Sequence, residues 1–236
     1  MKMQIQNAME TPGRLDLSTP AARRRFFIER SYRFAPRSPS NDLHALMRLP
    51  GRLHEKHGIA MINEMFGDIE VCLVGAHAVA ASAPERMTQD VDCLTRAAEY
   101  KLAQNLLRAN GYRELGAANY SSSSLGLFGT RWSPEKLGPP IDLISSEHDW
   151  VLEAFSIGPV FTNDGDRVLP LAYLVLIKMD TARSGDQFDL GRMLGRINDI
   201  EVSAIAEIVG RHLSDPTIVE DLRQSAEIGR WEYRAP

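Results

Sequence analysis

A short β-rich run, Ile69-Glu-Val-Cys-Leu-Val74, halts at Gly75 and passes directly into the small-residue stretch Ala76 to Ala83. This junction constrains the fold most, because a strand that ends on a glycine and opens a helix belongs to a layered α/β arrangement. A second strand signal follows at Thr88 to Leu94, where Val91 and Cys93 alternate with Asp90 and Asp92. Ala97 to Ala109 has helical periodicity and closes at Asn110-Gly111. Ile141-Asp-Leu-Ile144 reads as a third, short strand. Tyr120 to Leu125 and Ser133 to Pro140 are loop-like around weak strands, and Val160-Phe161 and Val168-Leu169 bracket a turn at residues 163–166. Helices are predicted over 171–182, 189–196 and 202–212, and upstream over 21–34, 42–49 and 53–65.

The expectation is an α/β (α+β) fold: a small mixed β-sheet with flanking helices and a helical C-terminal portion. Its divisions fall at residues 1–50, a basic and partly helical extension; 51–170, the core; and 171–236, the helical region. With 44% hydrophobic and 25% charged residues in 236, collagen-like, coiled-coil and wholly disordered classes are excluded. The longest apolar stretch, Leu169 to Ile177, is interrupted by Pro170 and Tyr173 and is too short for a bilayer. Met1 to Arg14 holds no apolar core of a secretory signal. Cys72 and Cys93 cannot make a disulfide framework and read as buried small hydrophobes. A cytoplasmic protein with no membrane partner is expected.

Charge is distributed unevenly. Residues 1–56 hold 11 Lys and Arg against 5 Asp and Glu, a balance of +6, which leaves −10 on the remainder of a chain whose net charge is −4. Arg23, Arg24, Arg25, Arg30, Arg33 and Arg37 alternate with Phe26, Phe27, Tyr32 and Phe34. Arginines with aromatics suit single-stranded nucleic acid, through phosphate contacts and base stacking. The competing reading is an amphipathic helix that packs its aromatics on the main domain and leaves its arginines in water.

Asp90 and Asp92, two apart on a strand, share one face. Two carboxylates so close repel each other unless a cation lies between them. Paired hard oxygen donors suit Mg²⁺ or Mn²⁺. Asp142, flanked by Ile141 and Leu143, offers a third carboxylate from a neighbouring strand, enough for two ions to flank a phosphoryl transfer. The glycine turn adds free N–H groups at a helix start, where phosphate binds. An Asp-x-Asp phosphatase is disfavoured, because Leu94 stands where its motif needs Thr, Val or Gly and no suitable lysine–acid pair follows. A glycosyltransferase needs a longer nucleotide-binding half ahead of the motif.

The order strand, Gly75-Ala76, thirteen residues, Asp90-Val-Asp92, then Ile141-Asp142-Leu143 resembles the polymerase-β-type nucleotidyltransferase superfamily. Arg86-x-Thr88-x-Asp90-x-Asp92 and the segment from Lys178 through Ala182 and Arg183 to Asp186 and Asp189 are similar to one branch. That branch holds small uncharacterised nucleotidyltransferases and type IV abortive-infection toxins. The resemblance spans roughly residues 56–200. It implies transfer of a nucleoside monophosphate from an NTP to an acceptor hydroxyl, with Asp90, Asp92 and Asp142 as catalytic metal ligands. It further implies Gly75 and Ala76 at the phosphates, Arg86 and Lys178 as nucleotide-binding cations, and Mg²⁺ or Mn²⁺ as cofactor. RNA reached through the basic N-terminal segment, a toxin role and an antitoxin protein as partner follow from the branch.

The chain departs from the family at Ala76, where Gly or Ser is usual. This motivates an alternative, a catalytically inactive nucleotidyltransferase-fold protein with a binding or regulatory role. His77 is expected on the helix flank. Lys178 either serves the site or is paired with an acid, Asp186 and Asp189 cap a helix or brace Lys178 with Arg183, and Trp132 packs in the core or stacks a base with Arg131.

Overall fold

A computed structural model of the protein describes residues 17–34, 64–83, 88, 90–120, 123–136, 138–158, 160–161 and 165–232. The helix expected at 42–49, most of that at 53–65, and Arg33, Arg37 and Arg86 as side chains lie outside the described residues; 64–66 are helical.

The order begins α1 (Pro20–Phe34), β1 (Val71–Val74), α2 (Gly75–Ala80), β2 (Val91–Thr95), α3 (Ala97–Ala109), β3 (Tyr112–Ala117), β4 (Leu127–Pro134) and β5 (Ile141–Ser146). It continues with α4 (Asp149–Ser156), β6 (Val160–Phe161), β7 (Arg167–Val168), α5 (Leu171–Thr181), α6 (Ser184–Leu194), α7 (Asp199–His212) and α8 (Ile218–Glu232). The described strands form one mixed sheet in the order β3-β4-β5-β2-β1-β7-β6. β2 pairs antiparallel with β1 and parallel with β5, while β4 pairs antiparallel with β5. This is the α/β class expected: a mixed sheet, flanking helices and a helical C-terminal portion.

The central strands explain the order. β1 and β5 are buried at every position, and Val91, Cys93 and Leu94 of β2 are fully buried. Strands covered on both faces read as continuous apolar runs. Asp92 and Asp142 are the acids set into those strands, and both stand near strand ends, while Thr95, Ser145 and Ser146 close β2 and β5 with hydroxyls. Trp132 and Trp150 fill the core on either side of β5, each with its indole N–H bonded, to Thr130 Oγ1 at 2.8 Å and to the Leu125 carbonyl at 3.1 Å.

Four differences from the sequence expectations have physical causes. β3 is an edge strand with only Tyr112 buried, so it carries almost no apolar signal. β4 replaces the weak strand expected, its apolar positions diluted by Gly129, Thr130 and Arg131. α6 begins at Ser184 rather than at Asp189, because the Asp186 carboxylate accepts the Arg183 amide at 2.9 Å and starts the helix there. β2 begins at Val91 rather than Thr88, where the Val91 amide meets the Pro140 carbonyl at 2.9 Å. α4 and α8 had no reading at all.

α8 packs against α6 through glycines. A Cβ on Gly229 would lie 1.8 Å from the Gly191 carbonyl oxygen, so side chains are excluded at the crossing. α1 joins this helical half through a buried arginine. Arg24, 2% exposed, donates to the Met179 carbonyl at 2.6 Å and to Asp221 at 3.0 Å, and it also pairs with Asp215. Arg23 donates to the Thr181 carbonyl at 3.2 Å. The N-terminal basic run is thus divided: Arg23 and Arg24 tie α1 down, and Arg25 and Arg30 are exposed.

Candidate functional site

The strand register sets the site. Asp92 faces Val74 of β1 on one side and Asp142 of β5 on the other, and Asp142 faces Arg131 of β4. Asp92 and Asp142 are therefore lateral neighbours on adjacent parallel strands. Asp90 precedes β2 by one residue, and its carboxylate accepts the Thr88 hydroxyl at 2.8 Å. All three sequence-predicted carboxylates come to one end of the central strands.

Gly75 follows Val74 directly and takes φ +65°, a region that side chains resist. A Cβ there would stand 1.8 Å from Asp92 Oδ2. Two requirements thus fall on one residue: the turn from strand into α2, and the space into which the Asp92 carboxylate presses. No side chain caps the first turn of α2, and Ala76 is 5% exposed, its methyl packed inward. What Ala76 presents at the turn is backbone. His77 is half-buried on α2.

The electrostatics of the cluster work against its own charges. Burial, then Asp90 and Asp142, pushes the Asp92 carboxyl up to about 6, against opposing fields from Lys178 and Arg183. Burial also raises Asp142, which Arg131 partly offsets through an ion pair of 3.4 Å. Three carboxylates brought to one strand end, Asp92 and Asp142 among them raised by burial and by acid neighbours, are a donor set of the hard oxygen type that fits a divalent cation. They do not stand as a finished cage: among the described residues, no three His, Cys, Asp or Glu side chains converge closely enough to hold an ion.

Three cations from other elements surround the carboxylates, each with different commitments. Lys178 of α5, 4% exposed, donates to Asp189 at 2.7 Å and to Asp186 at 3.2 Å, and Asp189 also takes Arg192 at 3.3 Å. Arg131 is exposed and turned to Asp142. Arg183 is exposed and lies 5.5 Å above the Tyr120 ring. Arg86, expected at the phosphates, lies outside the described residues.

Tyr120 was not singled out from the sequence. Burial, with Asp92 and Asp142 nearby, raises its phenol above the ordinary range. Its loop is pinned to α5 by Asp180, whose carboxylate accepts Ser123 Oγ at 2.5 Å, the Ser124 amide at 2.9 Å and Ser124 Oγ at 2.5 Å. The serine run was the available signal, because clustered hydroxyls next to a buried acid tie loops down. Trp132 is fully buried, with Arg108 5.0 Å above its ring, so it packs rather than faces the cleft. Both cysteines are buried and their thiols raised by that burial, Cys72 to about 12. They are inert small hydrophobes.

No protein-family model and no curated protein matches the chain. Among solved structures, the fold is similar to a candidate nucleotidyltransferase from Helicobacter pylori at 14% identity and a TM-score of 0.41, over 74% of this chain and 91% of that one. It is also similar to one from Thermotoga maritima at 12% identity and a TM-score of 0.38, over 58% of this chain and 96% of that one. A third similarity is to terminal uridylyl transferase 4 from Trypanosoma brucei, solved with GTP bound. There the identity is 10% and the TM-score 0.33, over 90% of this chain and 70% of that one. Likenesses at this level assign neither substrate nor reaction, which rest on the side chains of the cleft.

Proposed function

We propose that the protein is a metal-dependent nucleotidyltransferase that moves a nucleoside monophosphate from an NTP to an acceptor hydroxyl, releasing pyrophosphate. The observation that carries this reading is the register of Asp92 against Asp142, with Asp90 just ahead of β2 and Gly75 pressed against the Asp92 carboxylate. Nothing in the packing of β2 or β5 calls for acids at those positions, and burying them together costs stability. Asp90, Asp92 and Asp142 would hold Mg²⁺ or Mn²⁺. When bound, such ions offset charge on the transferring phosphoryl group and on the departing pyrophosphate.

The chain's own residues do the rest. Asp142, raised by burial, accepts the proton of the acceptor hydroxyl as it attacks the α-phosphorus. Backbone N–H groups at Gly75 and Ala76 approach the phosphates, because neither residue offers a hydroxyl. Thr88 orients Asp90 through its 2.8 Å hydrogen bond. Lys178 lends positive field to Asp92 from behind the cleft.

RNA is the acceptor class that the exposed Arg25 and Arg30 of α1 support, since Arg23 and Arg24 are used in packing. An RNA acceptor is also what a toxin role restrained by an antitoxin protein would need. The test is incubation of the purified protein with each α-labelled NTP and Mg²⁺ or Mn²⁺, with and without total tRNA and cell extract. Label on a macromolecule that disappears with Asp90→Asn is the expected result. Retained transfer in Asp90→Asn and Asp92→Asn overturns it. NTP binding without transfer under any condition would favour a regulatory protein on the same fold.

A further inference from the structure

We infer that Arg183, seated over Tyr120, is the side chain that grips the triphosphate tail, a role the sequence motif would give to Lys178. The inference rests on the nucleotidyltransferase reading and deepens it. Its basis is a comparison of commitments. Lys178 is buried between Asp186 and Asp189, so moving its ammonium to a phosphate would withdraw a paired cation from two acids, one of them fully buried. Arg131 is engaged with Asp142. Arg183 is exposed, and among the described residues no carboxylate pairs with its guanidinium.

Position supports the same conclusion. Arg183 follows Ala182, whose left-handed φ of 46° ends α5, and precedes α6; its own amide is taken by Asp186. That fixes the backbone and leaves only the side chain to move. The Tyr120 ring centroid, 5.5 Å from the guanidinium carbon, is within cation–π range and restrains it at low cost. Tyr120 is in turn held by the Asp180 clamp on Ser123 and Ser124, so the loop and the α5–α6 junction form one wall of the cleft. The field of Arg183 reaches Asp92, Asp142 and Tyr120 alike. A planar fork of donors beside the carboxylates is the chemistry that phosphate oxygens take, and it does not depend on the base.

The test uses calorimetry with magnesium tripolyphosphate, which has no base, and with each of the four NTPs and NMPs. Wild type is expected to bind tripolyphosphate and to prefer NTP to NMP. Arg183→Ala should weaken tripolyphosphate and NTP by ~10-fold or more while leaving NMP binding and the unfolding temperature unchanged. Arg183→Lys should recover part of the loss, since it restores charge without the fork. Tyr120→Leu should reproduce a smaller version of the same loss. Wild-type protein that discriminates NTP from NMP, with Arg183→Ala discriminating equally, overturns the assignment and leaves the function standing. Wild-type protein that binds none of these probes overturns both.

Discussion

Two clusters of buried acid lie close together in this protein and are treated in opposite ways. In the helical half, Asp189 is fully buried and receives Lys178 at 2.7 Å and Arg192 at 3.3 Å, while Asp186 takes Lys178, the Thr181 hydroxyl at 2.7 Å and the Arg183 amide. At the ends of β2 and β5, Asp90, Asp92 and Asp142 have, among the described residues, one exposed arginine at 3.4 Å and one threonine hydroxyl within bonding reach. The first cluster is neutralised from within. The second is not: burial first, and then Asp90 and Asp142, push the Asp92 carboxyl up to about 6. The fold compensates the acids of one cluster by direct ion pairs and those of the other only in part, and that contrast is what the proposed metal role rests on.

The largest effect separates the clusters by activity. Asp90→Asn and Asp92→Asn should each lower label transfer by ~10²-fold or more, with circular dichroism unchanged. The converse change tests the compensated cluster. Lys178→Met removes the 2.7 Å cation partner of the fully buried Asp189 and should cost ~3–5 kcal/mol, seen as a fall in the urea midpoint. A Lys178→Met protein as stable as wild type would show that the two clusters do not differ in the way described.

Next in size is the glycine crossing that anchors α8 under α6. Gly229→Ala forces its methyl into the Gly191 carbonyl, 1.8 Å from the ideal Cβ position, and should cost ~1–3 kcal/mol. Neither glycine is among the residues placed at the carboxylates, so NTP binding below the unfolding temperature should persist. Loss of binding in step with stability would mean that α6 and the cleft are coupled.

The cleft was far more legible in the sequence than its surroundings. Val74-Gly75, Asp90-x-Asp92 and Ile141-Asp142-Leu143 are local patterns, each an acid or a glycine set against apolar neighbours, and the register brings them together. Tyr120 and Asp180 were not legible as partners, because the hydrogen bonds joining their loop and helix span more than fifty residues. α8 was missed because its buried face is built from Leu222, Ser225, Ala226 and Gly229 with an interior Asp221, which does not read as an apolar stripe. Arg24 was read as one of a row of solvated arginines, yet it is buried against Asp215 and Asp221, acids that lie far along the chain. Apolar periodicity and local punctuation are visible in sequence; long-range ionic partners are not.

The smallest effect is the sharpest test of the comparison, because its sign is opposite in the two halves. The Asp92 carboxyl sits at about 6 in the folded protein against 3.8 for a free carboxyl, so the folded state binds the extra proton. Stability therefore falls as pH rises from about 4 through about 6, and the full penalty is present above that range. Asp92→Asn removes the charge, and without divalent cations it should raise the unfolding temperature by ~5 °C at pH 8 while matching wild type near pH 4. Asp215 runs the other way. Burial alone would raise it, but the Thr217 amide and hydroxyl, with Arg24, hold it below the usual carboxylate range. Its contribution is present above the ordinary carboxylate pKa and is lost as pH falls through the lowered one, so Asp215→Asn should destabilise at pH 8 and converge with wild type in acid. Mn²⁺ at pH 8 should then close the gap between wild type and Asp92→Asn from the wild-type side, because only the wild type keeps the full donor set. An Asp92→Asn protein less stable than wild type in the absence of metal would show that the cleft acids are already compensated, and the contrast between the two clusters would fail with it.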